Sequence, residues 1–99
     1  MRIIARRTLK EFYEKPEYSD SKPPLKAWYH ETKRAKWQDW TDIKEKYANA
    51  SILRNNRVVF NIGGNKYRLV VKINFPAKVV YIRFIGTHKE YDEINAEVI

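Results

Sequence analysis

The sequence has no cysteine and only two histidines, His30 and His88. A chain without cysteine forms neither disulfides nor thiolate metal sites, and two histidines alone argue against a zinc site. No apolar run approaches the ~20 residues that a membrane-spanning helix needs. The opening MRIIARRTLKEF is too short and too charged for a signal peptide. We therefore expect a cytoplasmic protein that acts without a metal, a cofactor or a membrane.

Acidic residues are missing from the whole of residues 46–89. The basic residues of this stretch are Lys46, Arg54, Arg57, Lys66, Arg68, Lys72, Lys78, Arg83 and Lys89. Protein surfaces usually mix both signs of charge, and a surface of one sign repels itself and favours a polyanionic partner. With a net charge of +8 over 99 residues, the chain is predicted to bind nucleic acid. The alternatives are a solvated basic surface without a partner and a membrane surface, which is less favoured because no basic amphipathic helix stands out.

Helical patterns occupy the first half of the chain. A hydrophobic content of 43% with three tryptophans predicts a folded chain, and the length predicts a single domain over residues 1–99. The pattern TLKE at 8–11 predicts a capping box at the start of a short helix that ends at Pro16. A start near Ala5 is equally compatible with the pattern.

Two more helices are predicted before residue 50. Pro23 and Pro24 suit only the first turn of a helix, and this helix is predicted to stop or bend near Trp37. Its buried face is predicted to contain Leu25, Trp28, Tyr29, Thr32 and Ala35. A short helix over 40–47 is predicted with Thr41 as its N-cap.

The period of the hydrophobic pattern changes from 3.6 to 2 near residue 57. Strands are predicted over 57–62, 66–75 and 78–86, with a tight turn at 63–65 and Pro76 closing the second strand. The connections are too short for crossovers, so the strands form an antiparallel meander. On the third strand, alternation predicts Val80, Ile82 and Phe84 on one face and Val79, Tyr81, Arg83 and Ile85 on the other.

The pattern THKE at 87–90 predicts a second capping box, formed by Thr87 and Glu90, at the start of a terminal helix. The chain is therefore predicted to be an α+β protein. Its N-terminal helices pack on one face of a small twisted antiparallel sheet, and a short C-terminal helix follows. The second face of the sheet is predicted to be basic and open.

Strand alternation places several basic side chains on this second face. Lys66, Arg68 and Lys72 are predicted to share one face of the second strand, with Arg83 on the neighbouring strand. Two guanidinium groups that lie close together repel each other unless an anion lies between them, and phosphate suits the guanidinium fork. These side chains, with Lys89, are predicted to bind RNA. The alternative is that they are solvated or paired with carboxylates of the terminal helix.

The register of these strands can also be predicted. A turn centred near 76–77 pairs Arg68 with Ile85 and Lys72 with Tyr81. In this register Arg68 and Arg83 are diagonal neighbours.

His88 is predicted to lie in the first turn of the terminal helix, with Tyr91 close to the same face. A near-neutral imidazole can exchange protons, and a tyrosine can stack on a base or help to move a proton. A metal-free ribonuclease needs only groups that hold the phosphate and exchange protons while the substrate 2′-hydroxyl attacks. Among the aromatic residues of the helices, Trp37 is the one that we consider as a contact to a base, and the others are assigned to the core.

Two segments, VVFNIGGNKYRLVVKINF and KVVYIRFIGTHKEYD, together resemble the HigB group of bacterial toxins, which are relatives of RelE. The upstream stretch WTDIKEKYANASILRNN fits the same group. The resemblance implies a RelE-like fold, cleavage of messenger RNA on the ribosome, and neutralisation by a HigA-like antitoxin with a helix-turn-helix. It also implies that Arg68 in YRLV contacts the phosphate and that His88 occupies the position of a basic catalytic residue. Tyr91 resembles a tyrosine whose offset from the last helix varies among relatives.

The function predicted from the sequence is therefore a ribosome-dependent endoribonuclease toxin. Its antitoxin is expected to cover the basic face and to read operator DNA on behalf of the complex. The alternative is a translation inhibitor that binds RNA or the ribosome without cleaving, since some members of the superfamily have lost the catalytic residues. A DNA-binding regulator is disfavoured because the basic charge lies mostly on strands and no recognition helix is evident.

Overall fold

The computed structural model describes residues 1–99 and contains five strands and four α-helices. The strands are β1 (Arg2–Ile4), β2 (Ser51–Ile52), β3 (Arg57–Ile62), β4 (Tyr67–Asn74) and β5 (Val79–Thr87). The helices are α1 (Arg6–Tyr13), α2 (Lys22–Arg34), α3 (Trp40–Lys46) and α4 (His88–Asp92), and a 3-10 helix covers Pro16–Ser21. The predicted α+β class is confirmed. None of the helices has the length and apolar content that crossing a bilayer requires.

The five strands form one sheet in the order β1-β5-β4-β3-β2. The central meander of β3, β4 and β5 is antiparallel, as predicted. Two short edge strands were not predicted: β1 runs parallel to β5, and β2 runs antiparallel to β3. Strands of three and two residues are too short to show an alternating pattern, so they could not be predicted from hydrophobic periodicity.

The starts of the helices test the predicted caps. The N-cap of α1 is Ala5, and no side chain caps this helix, so the capping box predicted at Thr8 is wrong and the alternative start is right. The predicted N-cap of α3, Thr41, is also wrong, because the Asp39 carboxylate accepts from the main-chain N–H groups of Thr41 and Asp42 at 2.9 and 3.2 Å. The capping box of Thr87 and Glu90 at α4 is confirmed.

The main core lies between the helices and one face of the sheet. The helices contribute buried residues that include Leu9, Phe12, Leu25, Trp28 and Ile43. The sheet contributes Val58, Phe60, Ile62, Tyr67, Leu69, Val71, Ile73, Val80 and Ile82. The alternation predicted for β3 and β4 is therefore confirmed, and the remaining side chains of these strands point to the second face.

A β-bulge interrupts the pairing of β4 with β5. Val70 is opposite Phe84 whereas Val71 is opposite Ile82, which leaves Arg83 without a direct partner. The extra residue reverses the alternation on β5. Phe84 therefore packs against the second face, and Ile85 packs on the main core, contrary to the predicted pattern.

The second face of the sheet is partly covered by residues 88–99, which we call the C-terminal strap. Val59, Val70 and Ala96 form a small buried cluster there, with Phe84 and Tyr91 packed against it. The prediction of an open second face is therefore wrong for its centre. The strap buries apolar side chains of this face and leaves basic residues accessible at both ends of β4.

Candidate functional site

Three predicted site residues meet at one end of β4. Arg68 is opposite Gly86 on β5, and α4 begins two residues later at His88. The Arg68 Nε–H donates to His88 Nε2 at 3.3 Å, and the guanidinium carbon lies 5.0 Å from the centre of the Tyr91 ring. All three side chains are half-buried. The structure therefore brings together Arg68, His88 and Tyr91. The sequence analysis had identified Arg68 from its strand position, and His88 and Tyr91 from their spacing on the terminal helix.

The close packing of Phe84 and Glu90 against Gly86 helps to place His88 beside Arg68. A Cβ atom at this position would lie 2.6 Å from Phe84 Cζ and 3.0 Å from the Glu90 carboxylate. Glu90 caps α4 by accepting from the Thr87 main-chain N–H at 2.9 Å. Glycine therefore allows the first turn of α4, with His88, to sit directly beside Arg68.

Asn65 is a neighbour of His88 that the sequence analysis missed. Its Oδ1 lies 3.1 Å from the same His88 Nε2 that faces Arg68. This ring nitrogen cannot hydrogen-bond to Arg68 and Asn65 at the same time. Without a proton it accepts from Arg68, and with a proton it donates to Asn65. The tautomer of His88 therefore decides which of these two contacts forms. A positive φ of 83° at Asn65 holds it in the turn between β3 and β4.

No side-chain carboxylate pairs with Arg68, Lys72 or Arg83. The two ion pairs in the chain are Arg7 with Glu11 and Lys66 with Asp20. In the strap, Glu90 is used by the capping box and Glu97 accepts from the Arg54 main-chain N–H at 3.3 Å. Arg68, which is half-buried, consequently keeps its charge available for an anion. So do the exposed cations Lys72, Arg83 and Lys89.

Lys66 departs from its predicted position. It precedes β4 and forms an ion pair with Asp20, to which the Tyr67 hydroxyl also donates at 2.5 Å. Lys66 therefore does not share a face with Arg68. Hydrogen bonds from Lys66 and then Tyr67 lower the pKa of the Asp20 carboxyl, and the hydrogen bond to Asp20 raises the pKa of Lys66.

Lys72 and Arg83 lie together in a groove of about 560 Å³ near the opposite end of β4. Lys72 pairs with Tyr81, as predicted, but the bulge makes Arg68 pair with Gly86 instead of Ile85. Arg68 and Arg83 are consequently not the diagonal neighbours that the sequence predicted. Arg68 does not line the groove of Lys72 and Arg83.

Trp37 lies in the main core and does not line the groove of Lys72 and Arg83. Its side chain is only 6% exposed, and its ring packs against Phe60 and Tyr47. An indole buried in this way is not available to stack on a base without opening the core. Packing accounts for Trp37 as it does for the other helical aromatic residues.

A groove of about 770 Å³ begins at Arg68 and Asn65 and runs beside β3. Lys46, Tyr47, Asn49 and Asn61 are among its other lining residues. The sequence analysis did not assign any of these four to a site, because they come from the end of α3, the loop after it and β3, and meet only in the folded chain. Asn61 is directly opposite Arg68 in the ladder of β3 and β4.

The arrangement can bind a phosphate and move protons. The guanidinium of Arg68 supplies donors in a fixed fork, while His88 and Tyr91 can exchange protons. No three histidine, aspartate or glutamate side chains are grouped as ligands for a metal ion. The hydrogen-bond donors of the Arg68 guanidinium are the groups here that can stabilise a developing negative charge.

Comparisons with known proteins point to one family. Residues 21–94 match the family HigB_toxin, the RelE-like toxic component of a toxin-antitoxin system. The mRNA interferase toxin HigB of Escherichia coli strain K12 is 31% identical over 98 residues, which are 97% of this chain and 92% of that protein. The mRNA interferase HigB of Shigella flexneri matches with the same identity and coverage. The mRNA interferase HigB of Escherichia coli O6:H1 strain CFT073 is 38% identical over 42 residues, 42% of this chain and 41% of that protein.

Proposed function

Because the chain belongs to the HigB family of RelE-like toxins, we propose that it is an mRNA interferase that inhibits translation by cutting messenger RNA. The family assignment confirms the resemblance found in the strand segments. The observation that carries the proposal is the cluster of Arg68, His88 and Tyr91, in which the guanidinium contacts both other side chains. No carboxylate pairs with this guanidinium.

The proposed reaction is a metal-free transesterification within the RNA. The 2′-hydroxyl of one nucleotide loses its proton and attacks the adjacent phosphorus, and the bond to the 5′-oxygen of the next nucleotide breaks. That oxygen takes up a proton, so the products carry a 2′,3′-cyclic phosphate and a 5′-hydroxyl. Arg68 stabilises the negative charge that develops on the phosphate oxygens, and His88 and Tyr91 exchange the two protons.

Other basic residues are proposed to hold the RNA backbone. Lys72 and Arg83 would contact phosphates at the far groove, and Lys89 would contact them beside the cleavage centre. Lys66 contributes less in this proposal because Asp20 already neutralises it. A chain of net charge +8 would dock on ribosomal RNA in the cytoplasm, where translated messenger RNA is presented as a single strand.

The partner that neutralises the toxin is proposed to be a HigA-like antitoxin with a helix-turn-helix. The unpaired cations on the second face favour acidic segments of such a partner. Operator DNA would be bound only by the complex, through the antitoxin. The helix-turn-helix that the family resemblance implies belongs to the antitoxin, so the antitoxin is assigned the reading of operator DNA.

A second candidate is a translation inhibitor that binds RNA without cutting it. The observation in its favour is the groove of Lys72 and Arg83, which offers unpaired charge away from the proton-exchanging side chains. In that case, loss of His88 would leave growth inhibition intact. Under the cleavage proposal, the same loss abolishes inhibition.

The deciding experiment expresses the wild-type chain and the variant His88→Ala in a bacterial host and maps the 5′ ends of cellular messenger RNA. We expect new 5′-hydroxyl ends with the wild type and none with the variant, which should still sediment with ribosomes. His30→Ala is the matched control, because this second histidine is exposed on α2. Growth arrest by His88→Ala, or the absence of new ends with the wild type, would contradict the proposal.

A further inference from the structure

Tyr81 is the one aromatic residue of the chain that packs in neither hydrophobic cluster. Every other tryptophan, tyrosine and phenylalanine belongs to the main core or the strap cluster, or packs against one of them. Tyr81 is half-buried, and it takes part in none of the ring–ring or cation–ring contacts of the chain. Its ring therefore keeps surface for a contact outside the chain.

Two cations flank the Tyr81 ring. Lys72 is directly opposite Tyr81 in the ladder of β4 and β5, and side chains at such positions have Cβ atoms about 5 Å apart. Arg83, the residue that the bulge leaves without a partner, lines the same groove of about 560 Å³ as Lys72 and Tyr81. Neither cation forms an ion pair, and no acidic residue lines the groove. The ring and the two charges are therefore accessible to the same ligand.

This combination has the chemistry of a site for single-stranded nucleic acid. Such sites use cations for the phosphates of the backbone and an aromatic ring for the face of a base. An acidic protein segment needs the cations but not the ring, and an apolar ligand needs the ring but not the cations. A nucleotide is the ligand that uses both.

We propose that the groove of Lys72 and Arg83 binds one nucleotide of the messenger, with its base stacked on Tyr81 and its phosphates held by the two cations. This inference rests on the proposed function, because it takes messenger RNA as the ligand. Lys72 follows Arg68 by four residues on β4, which is about 13 Å along the strand. At the roughly 3.4 Å spacing of stacked nucleotides, the bound nucleotide lies about four nucleotides from the cleavage centre, or fewer if the RNA is extended.

The test compares the affinity of the purified chain for two probes of equal length and equal phosphate number. One is a single-stranded RNA and the other is the same backbone without bases. Both are built from 2′-O-methyl nucleotides, which lack the attacking hydroxyl and therefore stay intact. The ratio of the two affinities reports base contacts, because the phosphate contacts and any unfolded fraction of a variant affect both probes equally.

We expect Tyr81→Leu to lower this ratio by roughly 5- to 100-fold, the range for one base stacked on an aromatic side chain. Tyr81→Phe keeps the ring and should keep the wild-type ratio. Lys72→Ala should weaken binding of both probes by the same factor. The control is Tyr29→Leu, which removes a half-buried ring from α2, in the helix layer, and should leave the ratio unaltered.

A wild-type ratio in Tyr81→Leu overturns the inference, because the groove then holds only phosphates or an acidic segment of the antitoxin. Failure of the wild type to bind the RNA probe overturns it as well. The mapping of messenger 5′ ends decides the proposed cleavage separately. If the wild type makes no new ends while Tyr81→Leu still loses its preference for the RNA probe, the cleavage proposal fails and the stacking site stands.

Discussion

Arg68 is the residue that connects the phosphate site, the imidazole and the strap. Its guanidinium donates to His88 and lies over the Tyr91 ring. A lysine at this position would keep the positive charge but could neither make the planar stack nor offer parallel donors to a phosphate. We therefore expect Arg68→Lys to reduce the rate of cleavage by roughly 10²- to 10³-fold, the range for lost charge stabilisation in a transition state.

The measurement is the rate of cleavage of a reporter message, together with the affinity for its RNA. Binding should change much less than the rate, because the charge is conserved. Lys36→Arg, at an exposed position after α2, is the reciprocal control and should leave both quantities unaltered. If Arg68→Lys cleaves the reporter message at the wild-type rate, a positive charge at this position is sufficient for cleavage and the guanidinium geometry is not required.

Asp20 gives the stability of the protein a dependence on acid pH. Hydrogen bonds from Lys66 and Tyr67 lower the pKa of its carboxyl below the usual value of 3.8. Because the folded state favours the ionised carboxylate, the stabilisation is complete above 3.8 and is lost as the pH falls through the lower, folded-state pKa. We expect Asp20→Asn to be less stable than the wild type at neutral pH.

This difference should shrink towards zero as the pH is lowered below 3.8. Urea unfolding of both proteins across that range measures it. Glu17→Gln, which removes an exposed carboxylate of the same 3-10 helix, should show no comparable gap. A gap between the wild type and Asp20→Asn that persists unchanged in acid would rule out the assigned hydrogen bonds.

Among the secondary-structure elements, the C-terminal strap depends on a buried arginine of β3. Arg57 is 9% exposed, and its guanidinium donates to the main-chain oxygens of Ile99 and Asn55. Asn55 in turn donates to the main-chain oxygen of Glu97 at 3.0 Å. These bonds fix the end of the strap, which carries Tyr91 at its start.

Arg57→Ala removes these donors from the partly buried oxygens of Ile99 and Asn55, so we expect a loss of about 1–3 kcal/mol in the free energy of unfolding. Amide hydrogen exchange in residues 88–99 should accelerate more than in β4. Arg54→Ala removes the same charge from an exposed side chain and should change neither quantity. Uniform acceleration over the whole chain would mean that Arg57 supports the global fold instead of the strap.

The elements also differ in how well the sequence could predict them. The meander and the residues of its core face followed from period-2 alternation, and the capping box at α4 followed from THKE. The bulge at Arg83 could not be predicted, because KVVYIRFIG alternates without interruption and the extra residue is fixed by the packing of Phe84 on the strap. The predicted pairing of Lys72 with Tyr81 was right, and that of Arg68 with Ile85 was wrong by one residue.

The candidate site was predictable only in part. Arg68, His88 and Tyr91 could be identified because they lie at a strand position and in a helix that follows the adjacent strand directly. Asn61 and Asn65 carry no charge and belong to no recognisable spacing, so their proximity to these residues depends on the folded sheet. Trp37 was misjudged as a contact because helical spacing does not show how the chain after α2 returns into the core.

At the scale of the whole molecule, the basic side chains of the second face fall into two groups, one at Arg68 and one at Lys72 and Arg83. A net charge of +8 predicts RNA binding that weakens steeply as salt rises. Each phosphate contact to a single strand contributes about 0.7 to the slope of log affinity against log salt. If Lys72 and Arg83 each contact one phosphate, replacing both with alanine should reduce the slope by about 1.4.

The measurement is the affinity for a single-stranded RNA as the salt concentration is varied. The control replaces Lys10 and Lys33 with alanine; both are exposed on helices of the opposite layer. It lowers the net charge by the same amount but should leave the slope near the wild-type value. Equal reductions in both double variants would indicate that overall charge, and not the groove of Lys72 and Arg83, governs binding.

The contacts of the Arg68 guanidinium also bear on how quickly and tightly RNA can be engaged. An exposed arginine samples many rotamers and loses that freedom when it grips an anion. Here the Tyr91 ring on one side and the imidazole on the other restrict the side chain as soon as the chain folds. Most of the conformational entropy of the Arg68 side chain is therefore lost on folding and not on RNA binding. More of the interaction free energy consequently remains for binding the scissile phosphate.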